Sequence, residues 1–358
     1  MRYKLKGVLV YLVILSISFY FSFDKVVGKD KYSDEEIKNI INQLFVIRDK
    51  AILENDLEAI ELLYNVEDKY GEWSYDYELR RIKYLKNWGD KQGIKFTDIS
   101  PNIKINNVKA KENGYLINLI CSTEYNYVYE GKEDINSSSI GTYHLIQINN
   151  KDGHWIIIKD WYKDPFGDSL NLEKIDSESI NKYILAQNTR DLSNIGERRT
   201  NAIKYAMEFS GAADLKQYNP EYRDYNPQGG DCANFASQIL HEGGNFKKNS
   251  SWNYDGGGAT GSWLNADKFK NYMIYSGRGS LIAYGNYEKV YKESYKLLPG
   301  DFVAYEKKGD IIHISTVTGA DSKGYSLVTC HNTDRNNVPW DLGFSNKNMK
   351  FYLVRVNY

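Results

Sequence analysis

Cysteine is scarce in this chain. Cys121, Cys232 and Cys330 are its three thiols, too widely spread for a zinc ligand set and too few for a disulfide framework, and an odd count leaves at least one unpaired. Histidine is scarce as well: His144, His154, His241, His313 and His331 are the whole supply, so the search for an imidazole partner is short. The formal net charge is only -1 and no dense Lys/Arg run follows the amino-terminal segment, which argues against a nucleic-acid partner. A GxxxxGK[ST] loop, an HExxH helix, an EF-hand loop and a GxSxG elbow are all missing, so P-loop, zincin, calcium and serine-hydrolase chemistry have no motif to stand on. No metal and no cofactor is expected.

Long apolar runs are limited to the amino terminus. Arg2, Lys4 and Lys6 precede an uncharged stretch from Gly7 to Phe23, about 17 residues and near the lower limit for crossing a bilayer of roughly 30 Å. The pattern is that of an export signal, with Val26-Val27-Gly28 as a weak small-residue cleavage site. Residues 1–28 thus read as a signal peptide or a membrane anchor, which places the remainder in the cell envelope, secreted or held on the extracellular face. Tyrosine, by contrast, is abundant at 31 residues; it serves as flat amphipathic surface for sugars or peptides, or as ordinary half-buried packing.

A chain of 358 residues suggests two domains. After the signal, Ser33 and Glu36 form a capping box, and Ile37, Ile40, Ile41, Leu44 and Phe45 recur at helical spacing; Ala59, Leu62, Leu63 and Val66 make a second stripe. A further helix is expected over 77–88, with Arg80, Arg81, Lys83 and Lys86 on its solvent face. Strands follow at 103–108, 115–127, 141–149 and 154–161, separated by turn-like segments. Helices before an antiparallel meander mean α+β. His144 and His154 read as half-buried strand residues and Cys121 as core. We expect an accessory α+β domain over 30–165, a polar linker over 166–197 and a loop-rich carboxyl-terminal domain over 198–358.

Within that last domain, Gln228-Gly229-Gly230-Asp231-Cys232-Ala233-Asn234-Phe235 puts a cysteine where a glycine-rich loop turns into a helix. Unpaired N–H groups there favour a thiolate, so Cys232 is expected to ionise below the usual thiol pKa of about 8.5. Asp231 is expected to cap the first turn, Phe235, Ala236, Ile239 and Leu240 to form an apolar stripe, and Gly243 to supply a left-handed C-cap. Downstream, the strand Asp310–Gly319 carries His313, and the next, Tyr325–Asn332, ends in His331-Asn332. The order supports thiol chemistry: Cys232 as nucleophile, His313 as general base, and His331 or Asn332 fixing the imidazole tautomer. The Cys232 backbone N–H and Gln228 are the candidate oxyanion donors. The competing readings are a core thiol and a core histidine. Asp255-Gly256-Gly257-Gly258 reads as a mobile loop, with Trp252 and Trp263 at its edges as candidate substrate contacts.

Two resemblances add to this reading. Gly153–Trp161 resembles the last strand of the cone-shaped α+β domains of the nuclear-transport-factor type, implying helices packed into a curved sheet. Tyr205-Ala206, Asn219-Pro220, Gly230–Gln238, Pro299-Gly300-Asp301, His313 and His331–Arg335 together resemble the amidase domain of exported Gram-positive bacterial proteins. That domain is similar in plan to NlpC-type and CHAP-type cysteine peptidases, with a papain-like core of a Cys helix on an antiparallel sheet. The resemblance implies Cys232 as nucleophile, His313 as base and His331 ahead of Asn332 as the third residue. It implies an exported cysteine amidase or peptidase that cuts peptidoglycan stem peptides through a thioester. The alternatives are a catalytically silent module binding wall or protein, and a thiol acyltransferase.

Overall fold

Ser33 does start a helix: its hydroxyl accepts from the Glu36 amide while the Glu36 carboxylate takes the Ser33 N–H, so the capping box closes at both ends. The computed structural model describes residues 32–166, 176–256, 258–344 and 348–358; the expected signal over 1–28 and part of the expected linker lie outside the described residues. Among the described residues no helix is long and apolar enough to cross a membrane. The chain is α+β, mixing helices with antiparallel strands. It divides into two units, one of residues 32–79, 103–119 and 144–162, the other of 80–102, 120–143 and 163–358. The stretch expected as one accessory domain is therefore shared between them.

In the first unit, helix Asp34–Glu54 buries Ile37, Ile41, Leu44 and Phe45. Helix Leu57–Leu63 buries Ala59, Ile60 and Leu63 and turns Leu62 outward, because the left-handed Asn55 and the Asp56 cap restart the helix in a new phase. β1 Ile94–Lys111, β2 Gly114–Tyr129 and β3 Asn136–Lys151 are longer than expected, whereas β4 has the expected bounds, His154–Trp161. β4 pairs with β3 from Leu145–Trp161 to Lys151–His154. His144 is buried rather than half-buried. Its Nδ1 lies 2.8 Å from Asp160 Oδ1 and its ring stacks on Tyr162, which satisfies a polar group that burial would otherwise penalise. His154 is exposed.

The second unit is built on one antiparallel sheet. Its remaining strands are β5 Tyr254–Asp255, β6 Gly258–Ala259, β7 Gly279–Gly285, β8 Phe302–Lys307, β9 Asp310–Ala320, β10 Ser326–Cys330, β11 Arg335–Pro339 and β12 Met349–Val356. Counting only those parts of β1 to β3 that belong here, the sheet order is β1-β2-β3-β11-β10-β9-β8-β12-β7. β5 and β6 form a separate hairpin where a loose glycine loop is expected. Helix Cys232–Gln238 is buried at every position. Ala233, Ala236 and Leu240 pack with Phe302, Ala304, Ile314 and Val354 from the sheet, whereas Phe235 and Ile239 pack against Ala202, Tyr205 and Ala206 of helix Glu197–Glu208. The helix is sandwiched, so it carries apolar residues on two faces rather than one stripe. Arg81, expected on a solvent face, is buried against Asp164 at 3.3 Å.

Gly243 has another role than a left-handed cap. It ends the π-turn Ile239–Gly243, and a Cβ there would fall 2.5 Å from Ala202 Cα and 2.6 Å from the Asn201 carbonyl oxygen. Close backbone approach of the two helices, not φ, demands the glycine.

Candidate active site

Cys232 opens its helix and is 7 % exposed. The last β9–β10 pair is Thr329 with Thr316; beyond it, the Ile314 amide turns to the Cys232 sulfur, as does the Ala233 amide. Both donors favour the thiolate, yet burial outweighs them, and the nearby Cys330 adds to it, so the thiol pKa is pushed up to about 12. The lowered pKa expected from a helix N-terminus is not what the structure gives: a thiolate sealed between helix and sheet loses more hydration than two backbone N–H groups return.

His313 is also buried, with its ring beside Tyr305 and Phe344. Its Nε2 lies 3.2 Å from the sulfur of Cys330, and among the described residues its hydrogen bond is to that thiol and not to Cys232. Burial, reinforced by the Arg335 guanidinium, holds the His313 imidazole well below its usual pKa. Burial raises Cys330. The pair is therefore a neutral thiol and a neutral imidazole, not an ion pair. Cys232, Cys330 and His313 nonetheless come together along β9: Cys330 bonds the imidazole, and the residue following His313 donates to Cys232.

Among the described residues, the hydrogen bonds of His331 and Asn332 go to groups other than His313. His331 is fully buried; its Nδ1 lies 2.6 Å from Asp231 Oδ2 and its Nε2 2.7 Å from the Phe209 carbonyl oxygen. Both ring nitrogens are thus occupied by groups other than His313. Asp231 makes no side-chain cap to its helix; its Oδ1 accepts from the Tyr225 amide and Asn234 Nδ2 instead. Asn332 lies against Gly230, where a Cβ would sit 2.9 Å from Asn332 Nδ2. Gly230 has a φ of 140°, so space and backbone both require glycine immediately before the Asp231-Cys232 pair.

Gln228 is exposed on the loop that leads to Cys232. Trp252 and Trp263, expected at a substrate edge, are fully buried. Their indole N–H groups donate to Ser237 Oγ and Asn234 Oδ1 on the Cys232 helix, at 3.0 and 2.9 Å, so both are helix supports and out of a substrate's reach. Aromatic surface is supplied by residues the sequence reading passed over. A cavity of about 580 Å³ lies beside the loop, lined among others by Tyr222, Arg223, Tyr225, Glu242, Lys248 and Tyr254. The only sequence signal for it is the tyrosine-rich run before Gly229.

With this geometry in view, comparison with known proteins gives a class. Residues 196–354 match the family described as "Putative amidase domain", and so are similar to an amidase-like hydrolase domain. They contain every residue of the site described above. A relative, the "Uncharacterized protein YhbB" of Bacillus subtilis (strain 168), is 29 % identical over 156 residues, 40 % of this chain and 43 % of that protein; the chain thus spans less than half the length of this curated relative. Among solved structures, the intermembrane space region of the chloroplast protein ARC6 matches 37 % of this chain and 98 % of its own at 10 % identity and a TM-score of 0.26. A Ca/calmodulin-dependent kinase II association domain from Exiguobacterium sibiricum matches 37 % and 95 % at 12 % identity and a TM-score of 0.23. At those scores neither structure carries an argument.

Proposed function

We propose that the second unit is a cysteine amidase or peptidase with Cys232 as nucleophile and His313 as general base. The observation that carries this is the grouping of Cys232, Cys330 and His313 along β9 inside a stretch that matches an amidase family. Because thiol and imidazole are both neutral, the proton leaves sulfur during attack rather than beforehand. His313 Nε2 exchanges Cys330 for the Cys232 proton as Sγ bonds the carbonyl carbon. The imidazolium returns that proton to the departing amine as the C–N bond breaks, leaving a thioester. Water, deprotonated by the same imidazole, then splits the thioester to the acid and the free thiol. The Cys232 N–H and the exposed Gln228 face the developing oxyanion, a donor of this kind being worth about 2.7–4 kcal/mol. Asn332, beside Gly230, is a further polar group next to the loop.

The substrate class we propose is the peptide part of peptidoglycan, reached after export through residues 1–28, with the tyrosine-lined cavity receiving the chain. A papain-like plan is part of the same reading, supported by the Cys-bearing helix packed on an antiparallel sheet. The burial of all three thiols favours a second reading, a silent module that binds wall peptide. One experiment separates them. The full chain is incubated with purified wall and the fragments are identified by mass spectrometry, with Cys232→Ala alongside. New free termini that vanish in the variant are expected; aminated or newly cross-linked products would mean acyl transfer, and termini unchanged by the variant would end the cysteine mechanism. Iodoacetamide labelling of Cys232 should accelerate about tenfold per pH unit up to about pH 10, as a thiol pKa of about 12 requires.

A further inference from the structure

His331 touches the nucleophile's helix on both sides of Cys232. Through Nδ1 it holds the Asp231 carboxylate at 2.6 Å, one residue before the cysteine. Its ring also stacks on Phe235, three residues after it, at 3.6 Å between centroids and 5° between planes. The opposite face is covered by Tyr218 at 3.6 Å and 8°. Tyr218 is itself tied down: its hydroxyl donates to Asp334 Oδ1 at 2.6 Å, and Asp334 Oδ2 accepts from the Ala212 amide at 2.7 Å. The two ring nitrogens of His331 face two acceptors, a carboxylate and a backbone carbonyl. These two partners hold the ring by both of its nitrogens and so fix its place and rotation.

Asp231 completes the clamp. An aspartate in front of a helix ordinarily spends its carboxylate on the first-turn amides. Here the first-turn amides receive nothing from it, and its oxygens bind His331, the Tyr225 amide and Asn234 Nδ2 at 2.6, 3.0 and 2.8 Å. One carboxylate thus joins the incoming loop, the helix and the end of β10.

We propose that Asp231 and His331 are positioning residues for Cys232, fixing the height and rotation of its helix against β9, and that His331 does not orient His313. This rests on the reading of Cys232 as nucleophile. It differs from that reading in making the Cys232 geometry, rather than the imidazole tautomer, the thing His331 controls.

The test uses the full chain with Asp231→Asn, His331→Gln and Phe235→Leu. The native-state alkylation rate of each thiol is mapped by peptide mass spectrometry, with kcat and KM on wall peptide measured alongside. Cys121, fully buried and distant in sequence, reports global opening. In Asp231→Asn and His331→Gln, Cys232 alkylation is expected to change at least fivefold with Cys121 unchanged; kcat should fall about 100-fold, the scale of a misplacement near 1 Å, with KM kept. If those variants expose all thiols alike, Phe235→Leu decides, since it loosens the stack and leaves the charges in place. A shift at Cys232 alone supports the proposal, and wild-type labelling in a folded variant overturns it. The alkylation readout needs no turnover, so loss of the amidase reading, seen as full activity in Cys232→Ala, is told apart from failure of the clamp.

Discussion

His313 and His331 are buried to nearly the same degree but have different partners. His331 meets two acceptors, whereas His313 meets a thiol and, at longer range, a guanidinium. The consequence for stability has a definite sign. The folded pKa of His313 is depressed, so below about pH 6.5 the unfolded chain takes up a proton that the folded chain refuses. Stability is complete above that pH and is lost as pH falls, by up to about 1.4 kcal/mol per pH unit for this one group. His313→Gln should therefore lose less than the wild type in its urea midpoint between pH 7.5 and 5.5. Equal losses would show that His313 is protonated in the fold. At this scale local pattern brings out Cys232 and His313 but not the pairing of His313 with Cys330. Cys232, His313 and the His331-Asn332 pair are singled out by local pattern; which thiol takes the imidazole depends on where β10 stops relative to β9. That register runs from Ser326 with Ala320 to Thr329 with Thr316 and shifts between Leu327 and Val328, an irregularity that period-two alternation does not announce.

Among the elements, the Cys232–Gln238 helix shows how tertiary burial overrides local expectation. Its ends look conventional in sequence, with an aspartate before and a glycine after. Yet Asp231 turns to His331, and Gly243 is there to let Ala202 approach. Gly243→Ala would place a methyl group inside van der Waals contact with a neighbouring backbone that cannot move as a side chain does; it should cost about 1–3 kcal/mol, read as a shift in the urea midpoint. Were the glycine a left-handed cap instead, asparagine would rescue it, and we expect Gly243→Asn to be worse than alanine. The strands show a related effect. β1 runs from Ile94 through Pro101, although proline ends the pattern in sequence; in the second unit β1 is the last strand of the sheet order, where a missing N–H is tolerated.

On the scale of the whole molecule, the second unit needs residues far upstream of the family-matched stretch. Lys91 Nζ reaches the Asp341 carboxylate, with both side chains fully buried, and Trp88 Nε1 donates to the same oxygen at 3.2 Å. Ser122 Oγ donates to the Ala213 carbonyl, the Gly141 amide to the Asp334 carbonyl, and β3 pairs with β11 through Ile140 and Arg335. Removing one member of a buried ion pair strands the other, so Lys91→Met should destabilise the full chain by about 3–5 kcal/mol by urea or thermal unfolding. A sequence scan sees Lys91 as one more basic residue late in a helix, because its partner lies 250 positions away.

The Lys91–Asp341 pair also decides how this unit could be moved between proteins. A graft cut at the homology boundary would carry a carboxylate without its counter-ion and a sheet margin without its neighbour, two defects that invite aggregation rather than a cleanly folded transplant. Because Arg81 pairs with the buried Asp164, the smallest piece that keeps both of these charge pairs must begin before Arg81.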